Sequence, residues 1–428
     1  MAAENQASYF FFGNYSSRPS KNFRSVYEDI PALCDFEPSN SPLIYIVKAL
    51  GLAGLSCHTE TSGMEVAARA WYDKALQKIN SSLRDRELVK GDQTLLVVLL
   101  FGLYEVCITP STLQRPEADP DQTNTCNTPR SMKYWLNHVN GAAALLALRG
   151  EEQLDSEFGR TLFIHTRTQI VSACYQTRSS IPAIVVQLSQ KCHDRNADPV
   201  ESLIPIIFQF CNIRAEILFH PPTTQSESTT RATVTGYKSI AQALADWQDR
   251  IPVGFLPLTV SVGQASFDIL SEHYNVYEDI WTAGIANNYR ATSILVHEAL
   301  ISQLHFLRDY YAHSLDEVLE LEDQILHSRN ILLSLIDTVC ASVPCLLRSN
   351  FAAAGVGLIW ALYVSAQISP GVAPLQDATR RWIIGRLENI GAAMGVCQAT
   401  MLAGFLRKRV EVMEVLKDEW AEGGGEGG

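Results

Sequence analysis

The chain has no Cys-x-x-Cys pair, no long basic tract and no charged leader, and each absence removes a class of function. Its ten cysteines are scattered, and the closest two, Cys340 and Cys345, have four residues between them. Zinc sites legible in sequence need closely paired ligands, so none is expected. In a chain of 428 residues without a secretory signal, reduced and mostly buried thiols are expected rather than a disulfide framework. Met1 to Ser17 has no positive n-region, and the apolar run Tyr9 to Phe12 is too short for a signal peptide.

Positive charge is also scarce. Lys and Arg number 34 against 46 Asp and Glu, a formal net charge of -12. A nucleic-acid duplex repels such a chain, and phosphate neutralisation needs clustered cations. The only tight basic run is Arg407-Lys408-Arg409, which reads as a solvated helix turn. No direct sequence-specific DNA binding is evident.

Catalytic motifs are missing as well. There is no Gly-x-x-x-x-Gly-Lys loop and no Gly-x-Ser-x-Gly elbow. Gly355-x-Gly357 lacks the third glycine of a dinucleotide fingerprint, and His297-Glu298 lacks the second histidine of a zinc protease. His297, His305 and His313 recur every eight residues, which turns each by about 80° from the last, so they share no face. Glu320, Glu322 and Asp323 read as a solvated helix face rather than paired carboxylates. No catalytic, cofactor-binding or metal-binding residue is assigned, and no enzyme activity is expected.

What the chain does have is apolar helix. A 47% hydrophobic and 19% charged composition is that of a globular protein. Ser349 to Gln376 and Ile390 to Leu406 carry no charge, with the charged segment Arg380 to Glu388 between them. Such stretches must be buried in protein or lipid. Phe351 to Ile368 reaches only the lower edge of a membrane span, is rich in Ala and Gly, and has no flanking positive cluster. A buried helix and no membrane are therefore expected. Gly391-x-x-x-Gly395 suits close helix packing.

Along the chain, residues 1–41 read as a loosely ordered lead-in. Residues 42–410 read as one helical body of about a dozen segments with no strand. Pro-rich Thr109 to Arg130 and Thr/Ser-rich Pro221 to Thr235 read as loops, near 109–130 and 220–235. Asp92 and Ser131 are candidate N-caps, and Ser314-x-x-Glu317 matches a capping box opening Leu315 to Leu335. Ile269 to Leu307 is rich in Tyr, His, Ile and Leu without strand alternation, and Pro344 reads as punctuation. Arg149-Gly150 reads as a C-terminal cation followed by a C-cap. Residues 411–428 combine an acidic amphipathic segment with a glycine-rich tail. The fold class is thus all-α, a large irregular multi-helix bundle or solenoid-like body.

Several segments together carry a resemblance. They are Tyr134-Trp135-Leu136-x-His138-x-x-Gly141-Ala142, Leu145-Leu146-x-x-Arg149-Gly150, Ser156-x-x-Gly159-Arg160-x-Leu162-Phe163, Asn288-Tyr289-Arg290-Ala291, Cys340 to Pro344 and Gly357 to Val364. Arg381-Trp382-Ile383, Leu387, Ile390-Gly391 and Gly395-Val396-x-Gln398-Ala399 close the set. In this order they resemble the fungal-specific transcription factor domain, the regulatory region of zinc-binuclear-cluster transcription factors, over about residues 42–410. The resemblance implies an all-helical nuclear regulator of metabolic genes, with secondary metabolism among them, that shuttles with the cytoplasm. Full-length members begin with six closely spaced cysteines among basic residues, and only Cys34 and Cys57 precede residue 100 here. The implied partners are therefore a DNA-bound transcription factor or the transcription machinery, with homo- or hetero-oligomers allowed. A ligand-binding or scaffold helical protein outside transcription is the alternative. Arg290 is expected to pair with Glu278, Asp279 or Glu298, or to be exposed.

Overall fold

Two helices are apolar on every side, and the others are arranged around them. The computed structural model describes residues 2–16, 25–58, 63–107, 129–195, 200–219, 226–263, 268–348, 352–410 and 412. The N-terminal helices are α1 (Ala2–Tyr15), α2 (Ile30–Phe36), α3 (Pro42–His58), α4 (Met64–Ser82), α5 (Asp92–Cys107) and α6 (Pro129–Arg149). Then come α7 (Glu157–Thr177), α8 (Ala183–Arg195), α9 (Ile204–Phe219) and α10 (Glu227–Arg250). A hairpin of β1 (Leu258–Ser261) and β2 (His273–Val276) precedes α11 (Ile280–Tyr310), α12 (Leu315–Leu347), α13 (Ala352–Gln367), α14 (Asp377–Met394) and α15 (Cys397–Lys408). The all-α, multi-helix fold expected from the sequence is the one observed.

Every residue of α5 from Thr94 to Cys107 is buried. α5 packs against α3, α4, α6, α7 and α15, while α13 packs against α1, α11, α12, α14 and α15. Helices without a polar face must be covered in this way. Their apolar contacts merge into one continuous core. The second charge-free stretch forms the end of α14 and most of α15. A Cβ on Gly391 would collide with the Thr400 hydroxyl of α15, and Gly395 (φ +68°) makes the left-handed turn between the two helices. The glycine pair therefore permits a tight helical hairpin. Among the described residues, α12 alone is long and apolar enough to cross a membrane; half of its apolar window is buried in protein, and a core helix passes the same test.

Several local expectations are corrected. Residues 2–15 of the supposed lead-in form α1, where Ala7, Phe11 and Tyr15 are buried at a spacing of four. Phe11 stacks on Tyr15 at 5.1 Å, and the Tyr15 hydroxyl meets Cys107 Sγ at 3.0 Å. That stripe is narrow and is mixed with exposed aromatics such as Tyr9, so it does not stand out in sequence. The segment 227–235 is helix, not loop, because Ser226 accepts from Thr229 N and opens α10. Residues 108–128 and 220–225 lie outside the described residues, as do 411 and 413–428.

The region from Leu258 to Asp279 holds the antiparallel hairpin, with Leu258 opposite Val276 and Ser261 opposite His273. Four-residue strands are too short to display period-two alternation. The stretch from Ile269, expected to hold no strand, contains β2 before α11 starts at Ile280, where Asp279 accepts from Thr282 N at 2.7 Å. The capping box does not form: Ser314 makes no side-chain capping bond, its backbone N–H donates to the Tyr311 carbonyl at 2.9 Å, and Glu317 pairs with Arg231 of α10. α12 also runs through Pro344 to Leu347. Arg149 does lie in the last turn of α6, before Gly150 (φ +65°), and it is also buried: it donates to the Gly91 carbonyl at 3.1 Å and pairs with Asp92, tying the end of α6 to the start of α5. α6 begins at Pro129, so Ser131 lies inside its first turn.

Candidate functional site

Three of the polar knots buried at helix junctions among the described residues bear on function. In the first, the Tyr72 hydroxyl of α4 donates to Glu105 of α5 at 2.6 Å and lies 3.1 Å from His138 Nε2 of α6. With the hydroxyl proton directed at Glu105, His138 Nε2–H donates to the Tyr72 oxygen. Burial pushes the Glu105 carboxyl up, and the Tyr72 hydrogen bond works against that shift. Burial alone lowers His138 from 6.5 to about 4. Phe101 stacks on His138 at 5.4 Å, so the knot is closed by aromatic rings.

In the second knot, Arg167 of α7 grips Glu201 with two parallel bonds of 2.7 and 2.6 Å. Their side chains are 3% and 6% exposed. In the third, Asn287 of α11 donates to Ser342 of α12 at 3.0 Å and accepts from Arg290 at 2.8 Å. Arg290 is buried, and its guanidinium also lies over the Tyr277 ring at 5.6 Å. The observed partners are an amide and a ring, not the expected carboxylates of Glu278, Asp279 or Glu298. The backbone hides this at the sequence level, because Ser342 lies 55 residues from Asn287.

The second knot forms part of a cavity of about 390 Å³ between α8 and α9. Ile204, Phe208 and Ile213 supply apolar wall; Ser189, His193 and Glu201 supply polar wall. Glu201 is matched by Arg167, so this pair leaves no net charge in the wall. Ser189 Oγ and His193 Nδ1, one turn apart on α8, have no hydrogen-bond partner among the described residues. Asn212 uses its carbonyl oxygen to accept from Ile181 N at 3.1 Å. The volume and the mixed lining suit an uncharged small molecule with an apolar body and one or two polar groups.

The other residues raised by the sequence are dispersed. His297 is buried in α11, His305 lies further along that helix, and His313 is exposed after its end. No group of three metal-ligating side chains converges among the described residues. Glu322 pairs with Arg308 at 2.8 Å, Glu320 accepts from Gln324 at 3.3 Å, and Asp323 is exposed. In the basic run, Arg407 pairs with Glu388 at 2.7 Å, and Arg409 (φ 54°) is the C-cap of α15. The cavity had no signal in sequence, since its polar residues sit on helices separated by a connection of no distinctive pattern.

No family model matches the chain. No solved structure matches it either. An uncharacterized protein of Emericella nidulans is 25% identical to it over 134 residues. That match covers 31% of this chain and 24% of the relative, so the chain spans about a quarter of the relative's length.

Proposed function

We propose that this chain is the helical regulatory body of a fungal-type transcription regulator that acts through protein partners. The observation that carries the reading is the ordered motif set from Tyr134 to Ala399. Its members sit at helix junctions. Trp135 and His138 of α6 face Gly102 of α5, Ser156 caps α7, Ser342 of α12 bonds the residue before Asn288, and Gly391 meets Thr400. Motifs that make junctions mark a shared architecture rather than a shared reaction, which suits a regulator. The similar Emericella nidulans protein supports a fungal setting. These residues carry a formal net charge of -12, which a duplex repels, and the reading routes DNA contact through a DNA-bound partner in the nucleus. Control of a metabolic gene set is part of the same proposal.

Chromatin immunoprecipitation of the tagged full chain tests it. The expected result is enrichment at a coherent set of promoters, with transcripts of the same genes changing on deletion. No promoter enrichment and no coherent transcript change would reject it.

The cavity between α8 and α9 favours a second reading, a small-molecule-binding helical protein outside transcription. That reading expects the uncharged probe 2-naphthol to bind the full chain, and its anionic counterpart naphthalene-2-sulfonate to bind much less. Gln209 is exposed at the cavity, and Gln209→Trp is expected to block the probe without touching the core. Equal binding to wild type and Gln209→Trp in ligand-observed NMR would remove the cavity as the site.

A further inference from the structure

The first half of α12 buries Leu321 and Ile325 but leaves three leucines of another face without cover. Leu315, Leu319 and Leu326 are 72%, 59% and 52% exposed. At about 100° per residue the three fall within an arc of about 40°, and they span about 16 Å along the axis. Leu333 continues the arc and is half-buried against the core, so the stripe runs from solvent into the protein. Single exposed leucines are ordinary on a protein surface. Three in one stripe on one helix make an apolar patch of the kind that marks an interaction site.

The patch has a charge. Asp316, Glu320 and Asp323 are exposed along one flank of the leucines. Among the nearby cations, Arg231 is held by Glu227 and Glu317 and Arg308 by Asp309 and Glu322. Arg329 and Lys238 keep their charge, since they donate to the neutral Val372 carbonyl and to Gln324. The flank of Asp316, Glu320 and Asp323 sets three carboxylates beside the leucines, so that side of the stripe is apolar and acidic.

We infer that this stripe docks a basic amphipathic helix of a partner protein, with leucine-like residues on one face and Lys or Arg beside them. This names the chemistry of the partner in the partner-mediated reading above, and rests on that reading only for its biological setting. Charge decides against a second copy and against the acidic segments 411–428 and 108–128. A second copy would set Asp316, Glu320 and Asp323 against their own counterparts. The segment 411–428 has six acids and one lysine, and 108–128 also has more acids than bases. Like charges brought together across an interface cost binding. A helix pressed into an apolar groove with its basic residues beside the acids satisfies both features at once.

The test is fluorescence anisotropy with the purified full chain. The probe is a labelled lysine–leucine peptide of about 15 residues, with leucines at helical i, i+3, i+4 spacing. Two controls are a glutamate–leucine peptide of the same pattern and a scrambled lysine–leucine peptide. The lysine–leucine helix is expected to bind, and to weaken as salt is raised. Leu319→Ser with Leu326→Ser is expected to weaken it at least about tenfold, as loss of central apolar anchors does. Asp316→Asn with Glu320→Gln and Asp323→Asn is expected to weaken it too. All five positions are exposed, so circular dichroism should be unchanged. The inference is overturned if the leucine variant binds within about twofold of wild type, or if a control peptide binds equally well. It is overturned equally if the chain forms a dimer that the leucine variant dissolves, because a second copy is then the occupant. Peptide binding without promoter occupancy keeps the docking surface and rejects the transcription reading. Promoter occupancy without peptide binding does the reverse.

Discussion

Glu201→Ala is expected to lower the unfolding free energy by about 3–5 kcal/mol. The carboxylate is bonded by both terminal nitrogens of Arg167, and both side chains are almost wholly out of water. Removing one partner strands a guanidinium that already has Nε without a hydrogen bond. Its charge then has no counter-ion in a largely buried place, and that cost sets the size of the effect. The cation also lies over the Phe163 ring at 5.5 Å, which offsets only a small part of the loss. Replacing both partners with apolar residues, Arg167→Met with Glu201→Leu, is expected to recover most of the stability, because no charge is left buried. Glu317→Ala provides the contrast. Its pair with Arg231 is half exposed, and the change should cost no more than about 1 kcal/mol. Urea unfolding followed by circular dichroism measures all three. If Glu201→Ala and Glu317→Ala cost the same, the buried pair does not hold α7 to the start of α9.

Acid is expected to unfold the protein over a definite range. Burial lowers His138, His165 and His297 from 6.5 to about 4 in the folded chain. Between those values the native state binds fewer protons than the unfolded chain, so unfolding takes up protons and acid favours it. The stability linked to these groups is fully present above about pH 6.5 and is lost as pH falls towards about 4. Each histidine contributes about 1.4 kcal/mol per pH unit in the middle of that range, and three together about 4. The geometry agrees for His165, whose Nε2 accepts from Val26 N at 3.3 Å, a bond that protonation removes. Glu105 acts in the opposite direction. Its raised carboxyl holds a proton longer in the folded state, so its own contribution grows as pH falls through its titration. Urea midpoints at pH 7.5, 6, 5.5 and 5 read the sum. His297→Gln should flatten the slope by about a third. A midpoint that does not move across this range contradicts the buried neutral histidines.

The helical character of residues 42–410 was legible because apolar residues recur with a period near 3.6 over long segments. The charge-free stretches were legible as interior for the same reason: a helix with no polar face has no stable exposed position. α1 and the hairpin were not legible. The first buries a stripe only one residue wide, and the second is made of strands too short to show a period. Pro344 was misread because a proline near a helix end removes one N–H bond without ending the helix when core contacts hold the last turn.

The polar features followed another rule. Arg149, Arg290 and Glu201 look like ordinary surface charges in a one-dimensional reading, and each is buried. Arg149 and Glu201 meet partners 57 and 34 residues away that only the packing of helices brings together, whereas Arg290 bonds Asn287 one turn back on its own helix and is buried by the neighbours of α11. The same holds for the leucines of α12. Their spacing marks a helix face, yet similar spacing in α6 faces the core. The sequence by itself determined which segments are helices and how much apolar surface they must hide. Only the tertiary structure decided which faces were hidden and which were left to water, because burial depends on neighbours brought together by folding, and local periodicity carries no record of them.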